Sequence, residues 1–237
     1  MTSQPKADAS VTKLGGDDAV KKWVEQVRGL IDENRWTRCE IIRSIIEGRA
    51  PREAIKRWAM EYRYYSSVAT PNAFVMLANA PDRQTYAAWG RNMAGELGYL
   101  EEPEHLTLLA ELPKQFGATE DEIASYEPLP TTIGAAFTVS YYFRRSFEEG
   151  IAAGVASENM AVDAMEVIYE GLKNHYGIDS QFFKVHIAAE QEHAEMGLAF
   201  LSKHAATDEI RERMRRAILN TCATKRQMWV GCETFLG

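Results

Sequence analysis

His186, Glu190 and His193 follow one another at spacings of four and three residues. On a helix of 3.6 residues per turn, side chains at these positions leave one face and reach into one space. Two imidazoles and a carboxylate so arranged offer nitrogen and oxygen donors that suit a divalent transition metal and leave coordination positions open. Phe182 and Gly197 continue the same line, which argues that the face points inward. Gln191, Glu192 and Glu195 give the same helix a polar side, so an exposed charged seam is the competing reading.

Two further carboxylates interrupt apolar stripes. Ile151, Val155, Glu158, Val162, Met165, Tyr169 and Leu172 share a face at 4-3-4-3-4-3 spacing. Glu158 stands in its middle, where a buried carboxylate needs a metal, a cation or a proton. A buried salt bridge satisfies the same requirement. Tyr86, Trp89, Met93, Glu96 and Leu100 form a second such stripe, with Glu96 as the odd member near the helix end. His105 lies just inside a helix opened by Pro103; alone, a histidine there is usually structural. Together, Glu96, His105, Glu158, His186, Glu190 and His193 are the ligand stock of a carboxylate-bridged pair of iron ions.

Helices must position these groups, and helix formers dominate the chain. The periodicity predicts helices over 18–34, 37–48, 52–79, 82–100, 104–115, 119–126, 131–156, 158–176, 179–203 and 207–235. Asp18, Thr37, Asp82 and Thr207 are the expected N-caps, and Pro51 and Pro103 fit first-turn positions. Gly177 fits a helix stop, and Pro71 is expected to kink the helix over 52–79 by removing a donor. Residues 1–17 are polar and read as a disordered tail, and 18–237 as one all-α domain.

The net charge of -7 argues against a nucleic-acid partner. The basic cluster Arg211–Arg216 is interleaved with Glu212 and reads as a solvated helix face. No apolar run is long enough for a bilayer span. The polar N-terminus is not a secretory signal, and Cys39, Cys222 and Cys232 lack disulfide or C-x-x-C spacing, so the expected location is the reducing cytoplasm.

The chain resembles the heme-oxygenase-like di-iron oxidases, whose fold is shared with pyrroloquinoline-quinone synthase and the TenA thiaminases. The pattern is a Glu, a short gap, a His, a distant Glu, then H-x-x-x-(D/E)-x-x-H. Here it reads Glu96, His105, Glu158 and H-I-A-A-E-Q-E-H from His186 to His193. The stretches R-E-A-I-K-R-W-A-M-E-Y-R-Y-Y from Arg52 and N-A-P-D-R-Q-T from Asn79 are similar to pyrroloquinoline-quinone synthase. The resemblance covers roughly 40–235 and implies a single helical bundle of seven or more helices, two Fe(II) ions between them, O2 as co-substrate and no heme. Glu102 offers an E-x-x-H alternative to Glu96, although Pro103 and the helix phase favour Glu96. Glu190 replaces a frequent aspartate. Members that make p-aminobenzoate from their own tyrosine and lysine carry those residues near Ile42 and Glu166 here, which argues against that activity.

The activity so implied is O2-dependent oxidation of a small carboxylate-bearing molecule, an amino acid or a fatty acid, by desaturation, C–C cleavage or N-oxygenation. Two alternatives stand beside it: a cofactorless oxidase like pyrroloquinoline-quinone synthase, and a ferritin-like iron-binding bundle. In the last helix Ile210, Met214, Ala217, Thr221, Lys225, Met228 and Cys232 share a stripe. Lys225 resembles a pocket lysine of pyrroloquinoline-quinone synthase and is a candidate anchor for a substrate carboxylate; a packed stem that snorkels to water is the alternative. Arg63, beside Tyr62 and Tyr65, is the second candidate. The expected partner is a small molecule, with no membrane, and the reading leaves room for a homodimer.

Overall fold

Met214, Ala217, Ile218, Thr221, Cys222, Lys225, Met228, Trp229 and Cys232 are all buried, so the last long helix presents a broad inward face along its length. The rest of the chain assembles against it. The computed structural model describes residues 18–100 and 103–237, with the side chains of 188–195 outside the description. In chain order its helices are α1 (Asp18–Asp32), α2 (Glu40–Ile46), α3 (Arg52–Ala73), α4 (Val75–Ala78), α5 (Arg83–Glu96), α6 (His105–Gln115), α7 (Glu120–Ala124), α8 (Pro130–Phe143), α9 (Phe147–Asn159), α10 (Val162–Tyr176), α11 (Gln181–His204) and α12 (Asp208–Cys232). No strand occurs among the described residues.

α12 packs chiefly on α8 and α9, with α1, α2 and α3 at its sides; α3 carries α6 and α8, and α11 lies on α9 and α10. Trp36, Trp58 and Trp229 are fully buried at the centre. Trp36 meets Trp229 at 5.0 Å and Tyr62 at 5.3 Å, both edge to face. Such pairs add roughly 0.5–1.5 kcal/mol each beyond the area they bury. The carboxylate of Glu61, on α3, accepts from the Tyr126 hydroxyl at 2.5 Å and the Leu129 backbone N–H at 3.0 Å. That buried pair of bonds ties the segment before α8 to α3.

Several expected boundaries hold. Asp82 caps α5 by accepting from the Thr85 N–H at 2.7 Å, and Thr207 caps α12 by accepting from the Ile210 N–H at 3.2 Å. Gly177 ends α10 at φ 70°. Arg216 is exposed and Arg215 half-buried beside Glu212, as a solvated face should be, whereas Arg211 is largely covered and pairs with Asp208 while donating to the Ala205 carbonyl. Three candidate buried cysteines are free thiols.

Others move. Asp18 is the first residue of α1 rather than its cap. Thr37 caps nothing: Trp36–Arg38 is a 3-10 turn, and α2 starts behind Cys39. The reason is tertiary, because buried Trp36 is held with its N–H donating to the Met160 carbonyl at 3.1 Å. Pro51 is the N-cap of α3, and Pro103 precedes the Glu104 cap of α6. Pro71 stays inside α3, and the break comes after Ala73, whose carbonyl accepts from the Trp89 indole N–H at 3.2 Å. The helix expected over 131–156 divides at Arg144–Ser146, where Ser146 caps α9 through the Glu149 N–H at 3.2 Å. The helix expected from 158 starts at Val162, which leaves Glu158 in the last turn of α9. The tail over 1–17 lies outside the described residues.

At Gly171 α10 meets α2 backbone to backbone: a Cβ there would sit 2.7 Å from the Ile46 Cα and 2.9 Å from the Ile45 carbonyl oxygen. Backbone cannot swing aside as a side chain can. Gly171→Ala should therefore destabilise the fold by about 1–3 kcal/mol, although alanine is the better helix former. The midpoint of urea unfolding measures this, and an unchanged midpoint would mean that α2 shifts freely.

Candidate functional site

Three of the candidate ligands stand at helix ends. Glu96 is the last residue of α5, His105 the first of α6, and Glu158 the penultimate residue of α9. His186 lies in the second turn of α11. One turn brings the first two together. Gly98 ends α5 at φ 71°, with the Tyr99 N–H donating back to the Ala94 carbonyl at 3.0 Å. A Cβ on Gly98 would lie 2.5 Å from the Glu104 backbone nitrogen, so the chain returns against itself there. The His105 Nδ1 consequently lies 3.2 Å from a Glu96 carboxylate oxygen.

His186 reaches the same place from across the pocket. Its ring lies 4.6 Å from that of His105, centroid to centroid, and 4.0 Å from Phe182. Nδ1 of His186 is 2.8 Å from the Phe182 carbonyl. A carbonyl oxygen only accepts, so Nδ1 carries the proton and the lone pair belongs to Nε2. Metal-binding histidines are commonly fixed in this way. Phe182 in turn rests on Tyr62 at 5.6 Å, which joins the ring to the central aromatic cluster.

All four residues line one cavity of about 160 Å³, together with Lys225. The Glu158 side chain lines this cavity and is exposed to water. Desolvation first, and then the nearby Glu96 charge, raise its pKa from 4.5 to about 8 against the pull of Lys225. The backbone carbonyls at the ends of α5 and α9 add partial negative charge beside both carboxylates. This corner of the pocket favours a cation.

Lys225 is itself buried, and burial pushes its ammonium well below the usual lysine range while Glu158 opposes the shift. Its Nζ donates to the Ser157 hydroxyl at 3.1 Å and sits 3.5 Å over the Tyr65 ring, with Trp36 at 5.2 Å. The Tyr65 and Ser157 hydroxyls are 2.9 Å apart. Ser157 and Trp36 were not signalled by the stripe pattern, which selects charged outliers and passes over small polar groups. The inward placement predicted for Lys225 is found. Arg63 is half-buried and is not among the residues that line the cavity.

The side chains of Glu190 and His193, and all of Glu102, lie outside the described residues. Among the described residues, no three histidine, cysteine or acidic side chains are gathered closely enough to enclose a metal ion. The four described donors nevertheless fit iron in kind: two carboxylates and two imidazoles, one with its tautomer fixed. No described helix is long and apolar enough to cross a membrane.

Residues 56–226 match the family model described as iron-containing redox enzyme. The pyrroloquinoline-quinone synthase of Pseudomonas aeruginosa is 26% identical over 179 residues, 72% of this chain and 70% of its own length. That of Ectopseudomonas mendocina is 27% identical over 180 residues, 73% and 71%. Among solved structures, a domain of unknown function with a heme oxygenase-like fold from Shewanella denitrificans superposes with TM-score 0.74 at 14% identity, covering 91% of this chain and 92% of that one. A CADD-like protein of unknown function from Nostoc punctiforme gives 0.74 at 17%, covering 93% and 100%. A TenA homologue from P. horikoshii gives 0.66 at 15%, covering 92% and 98%. These likenesses show the heme-oxygenase-like fold.

The raised pKa of Glu158 sets a pH dependence for the metal-free protein. Below its unfolded value of 4.5 the carboxyl is protonated in both states; from there to about 8 only the folded chain keeps the proton. The folded state then binds more protons, so its stability falls as pH rises across that window. Thermal unfolding of chelator-treated protein from pH 5 to 8 should show the decline, and Glu158→Gln should flatten it. An identical slope in both proteins would place the carboxylate in bulk-like solvent.

Proposed function

Because the chain belongs to the iron-containing redox enzyme family, we propose that it is an O2-dependent oxidoreductase that holds two ferrous ions through Glu96, His105, Glu158, His186, Glu190 and His193. Its substrate is a small carboxylate-bearing molecule, an amino acid or a fatty acid, which it desaturates, cleaves or N-oxygenates. The observation that carries this reading is the convergence of Glu96, His105, Glu158 and His186 on one cavity from four different helices. Iron, when bound, supplies the O2 activation and electron transfer that no side chain here performs.

The protein's own groups do the rest. The Phe182 carbonyl holds the His186 ring with Nε2 as donor atom. Glu96 and Glu158 balance the charge of the metal, which in turn relieves their mutual repulsion. Lys225 faces the same cavity and pairs with the substrate carboxylate there, where exclusion of water strengthens the attraction. Tyr65, Trp36 and Ser157 hold the ammonium in place through ring faces and one hydroxyl. The cavity of about 160 Å³ is close to the roughly 150 Å³ that encloses benzene, so the substrate body inside it is short.

The likeness to pyrroloquinoline-quinone synthases supports a second reading, a cofactorless oxidase. It would put substrate-facing histidines where this chain has Glu158. Turnover that survives complete metal removal would establish it. The ferritin-like alternative pairs His105 with Glu102, which lies outside the described residues; Glu96 stands 3.2 Å from the His105 ring.

Anaerobic loading should give two Fe(II) per chain, and elemental analysis of His186→Ala and Glu158→Ala should show most of that metal gone. Full retention in Glu158→Ala would remove it from the ligand set. Glu96→Ala should abolish turnover while Glu102→Ala leaves it nearly intact; the reverse result would favour the E-x-x-H pairing. Lys225→Met keeps the packed stem without the charge. Substrate affinity should fall by about tenfold or more, the worth of a charged hydrogen bond, with iron content normal. Unchanged affinity would leave Lys225 as a structural cation.

A further inference from the structure

Trp36, Trp58 and Trp229 are at most 1% exposed, and none of their indole N–H groups meets an acceptor among the described residues. A buried indole usually finds a partner for its N–H, and a buried polar group left unpaired is rare enough to need a reason. Phenylalanine would fill much of the same space without a stranded donor. What phenylalanine does not share is the ease with which an indole gives up one electron. An indole without an acceptor keeps its N–H proton when it does so, and the electron then returns without any proton moving.

The rings are contiguous. Trp36 lies 5.0 Å from Trp229, centroid to centroid, and Trp229 lies 5.9 Å from Trp58. Tyr62 is 5.3 Å from Trp36, 5.7 Å from Trp229 and 6.1 Å from Trp58. One end of the cluster is the wall of the cavity, which Trp36 and Tyr62 both line. There Phe182 bridges Tyr62 to the candidate ligand His186, at 5.6 and 4.0 Å. The other end is on α3. Glu61 follows Trp58 by three residues, so the two side chains are neighbours on that helix. Glu61 is fully buried and accepts from the Tyr126 hydroxyl at 2.5 Å. Tyr126 is half-buried, so its ring reaches the surface. A phenol already bonded to a carboxylate hands over its proton as it loses an electron. It is therefore easier to oxidise than indoles that keep theirs.

We propose that Tyr62, Trp36, Trp229 and Trp58 form an electron path from Tyr126 to the metal centre, used when that centre is oxidised with no substrate to act on. The inference rests on the reading of the cavity as an iron oxidase, since oxidised iron is the electron acceptor. Each passage moves one electron. The iron centre takes it from the chain; Tyr126 supplies it and gives its phenolic proton to Glu61. A one-electron reductant at the surface, such as ascorbate, then returns an electron to the ring, and the proton comes back along the same bond. The oxidising equivalent thus leaves the cavity without attacking the ligands.

Two measurements test the path. In metal-free protein, ultraviolet flash photolysis ejects an electron from tryptophan. The expected transient is an indole radical cation that decays as a tyrosyl radical rises. Trp58→Phe and Tyr126→Phe should each at least halve that rise, and Glu61→Gln should slow it severalfold. Trp23→Phe, outside the cluster, should leave it unchanged. Circular dichroism checks each fold, and Tyr126→Phe, at the half-buried end, carries the test should Trp58→Phe fail to fold. In iron-loaded protein exposed to O2 without substrate, peptide mass spectrometry should find oxygen added to Tyr126, and ascorbate should suppress it. In Tyr126→Phe the oxygen should appear on the tryptophans instead. A tyrosyl rise equal in wild type and Tyr126→Phe would overturn the path whether or not iron binds. So would oxidation confined to Phe182 and His186 in protein that elemental analysis shows to hold iron. Protein that takes up no iron would remove the iron reading alone, and photolysis would still decide the path.

Discussion

Glu96 closes α5 and Glu158 stands in the last turn of α9, so each carboxylate sits where its own helix already concentrates negative charge. Both face one cavity, and the buried cation nearest to hand is a lysine held by aromatic rings and a serine hydroxyl. Two like charges at helix C-termini facing one cavity repel each other, a cost the fold carries before any ligand arrives. Protonation of Glu158 is one relief and a bound cation is the other. The remainder of the site is arranged around that choice: imidazoles opposite the carboxylates, and a water-poor wall behind them.

The wall is an extension of the core. Trp229, Trp36, Tyr62 and Phe182 make successive edge-to-face contacts, and the last of them touches His186. A ring in such a chain has little rotational freedom, so the imidazole is positioned by the same packing that stabilises the bundle. Lys225 shares that arrangement, because Trp36 and Tyr62 also approach its ammonium. The Lys225 end and the His186 end of the cavity are therefore linked through one aromatic cluster. Changes in that cluster would move both.

The bundle is a shared scaffold on which sites vary. A fold of packed amphipathic helices depends on where apolar residues fall, which many sequences satisfy; chemistry depends on a few side chains at particular positions. Here three of the candidate side chains stand at helix ends. The turns at Gly98 and at Met160–Ala161 determine which side chains face inward, and short helices such as α4 and α7 adjust how the long ones meet.

The sequence by itself determined the helical class, most long helices, and the inward stripe that contains Lys225, because a 3.6-residue apolar period is a local property of the chain. It also singled out Glu96 and Glu158, since a charge within an apolar stripe is conspicuous without any knowledge of the fold, and His186 through its spacing to Glu190 and His193; His105 on its own carried little signal. The splits at Arg144–Ser146 and at Met160 were hidden, because the apolar period runs on through them; the S-x-x-E of Ser146 and Glu149 was the one local sign of the first. Only the tertiary structure decided that His105 meets Glu96, that the Phe182 carbonyl fixes His186, and that Tyr65, Trp36 and Ser157 enclose Lys225. It also left Arg63 out of the cavity lining. Those outcomes depend on distances between residues far apart in sequence, and such distances are fixed when helices pack, not when they form.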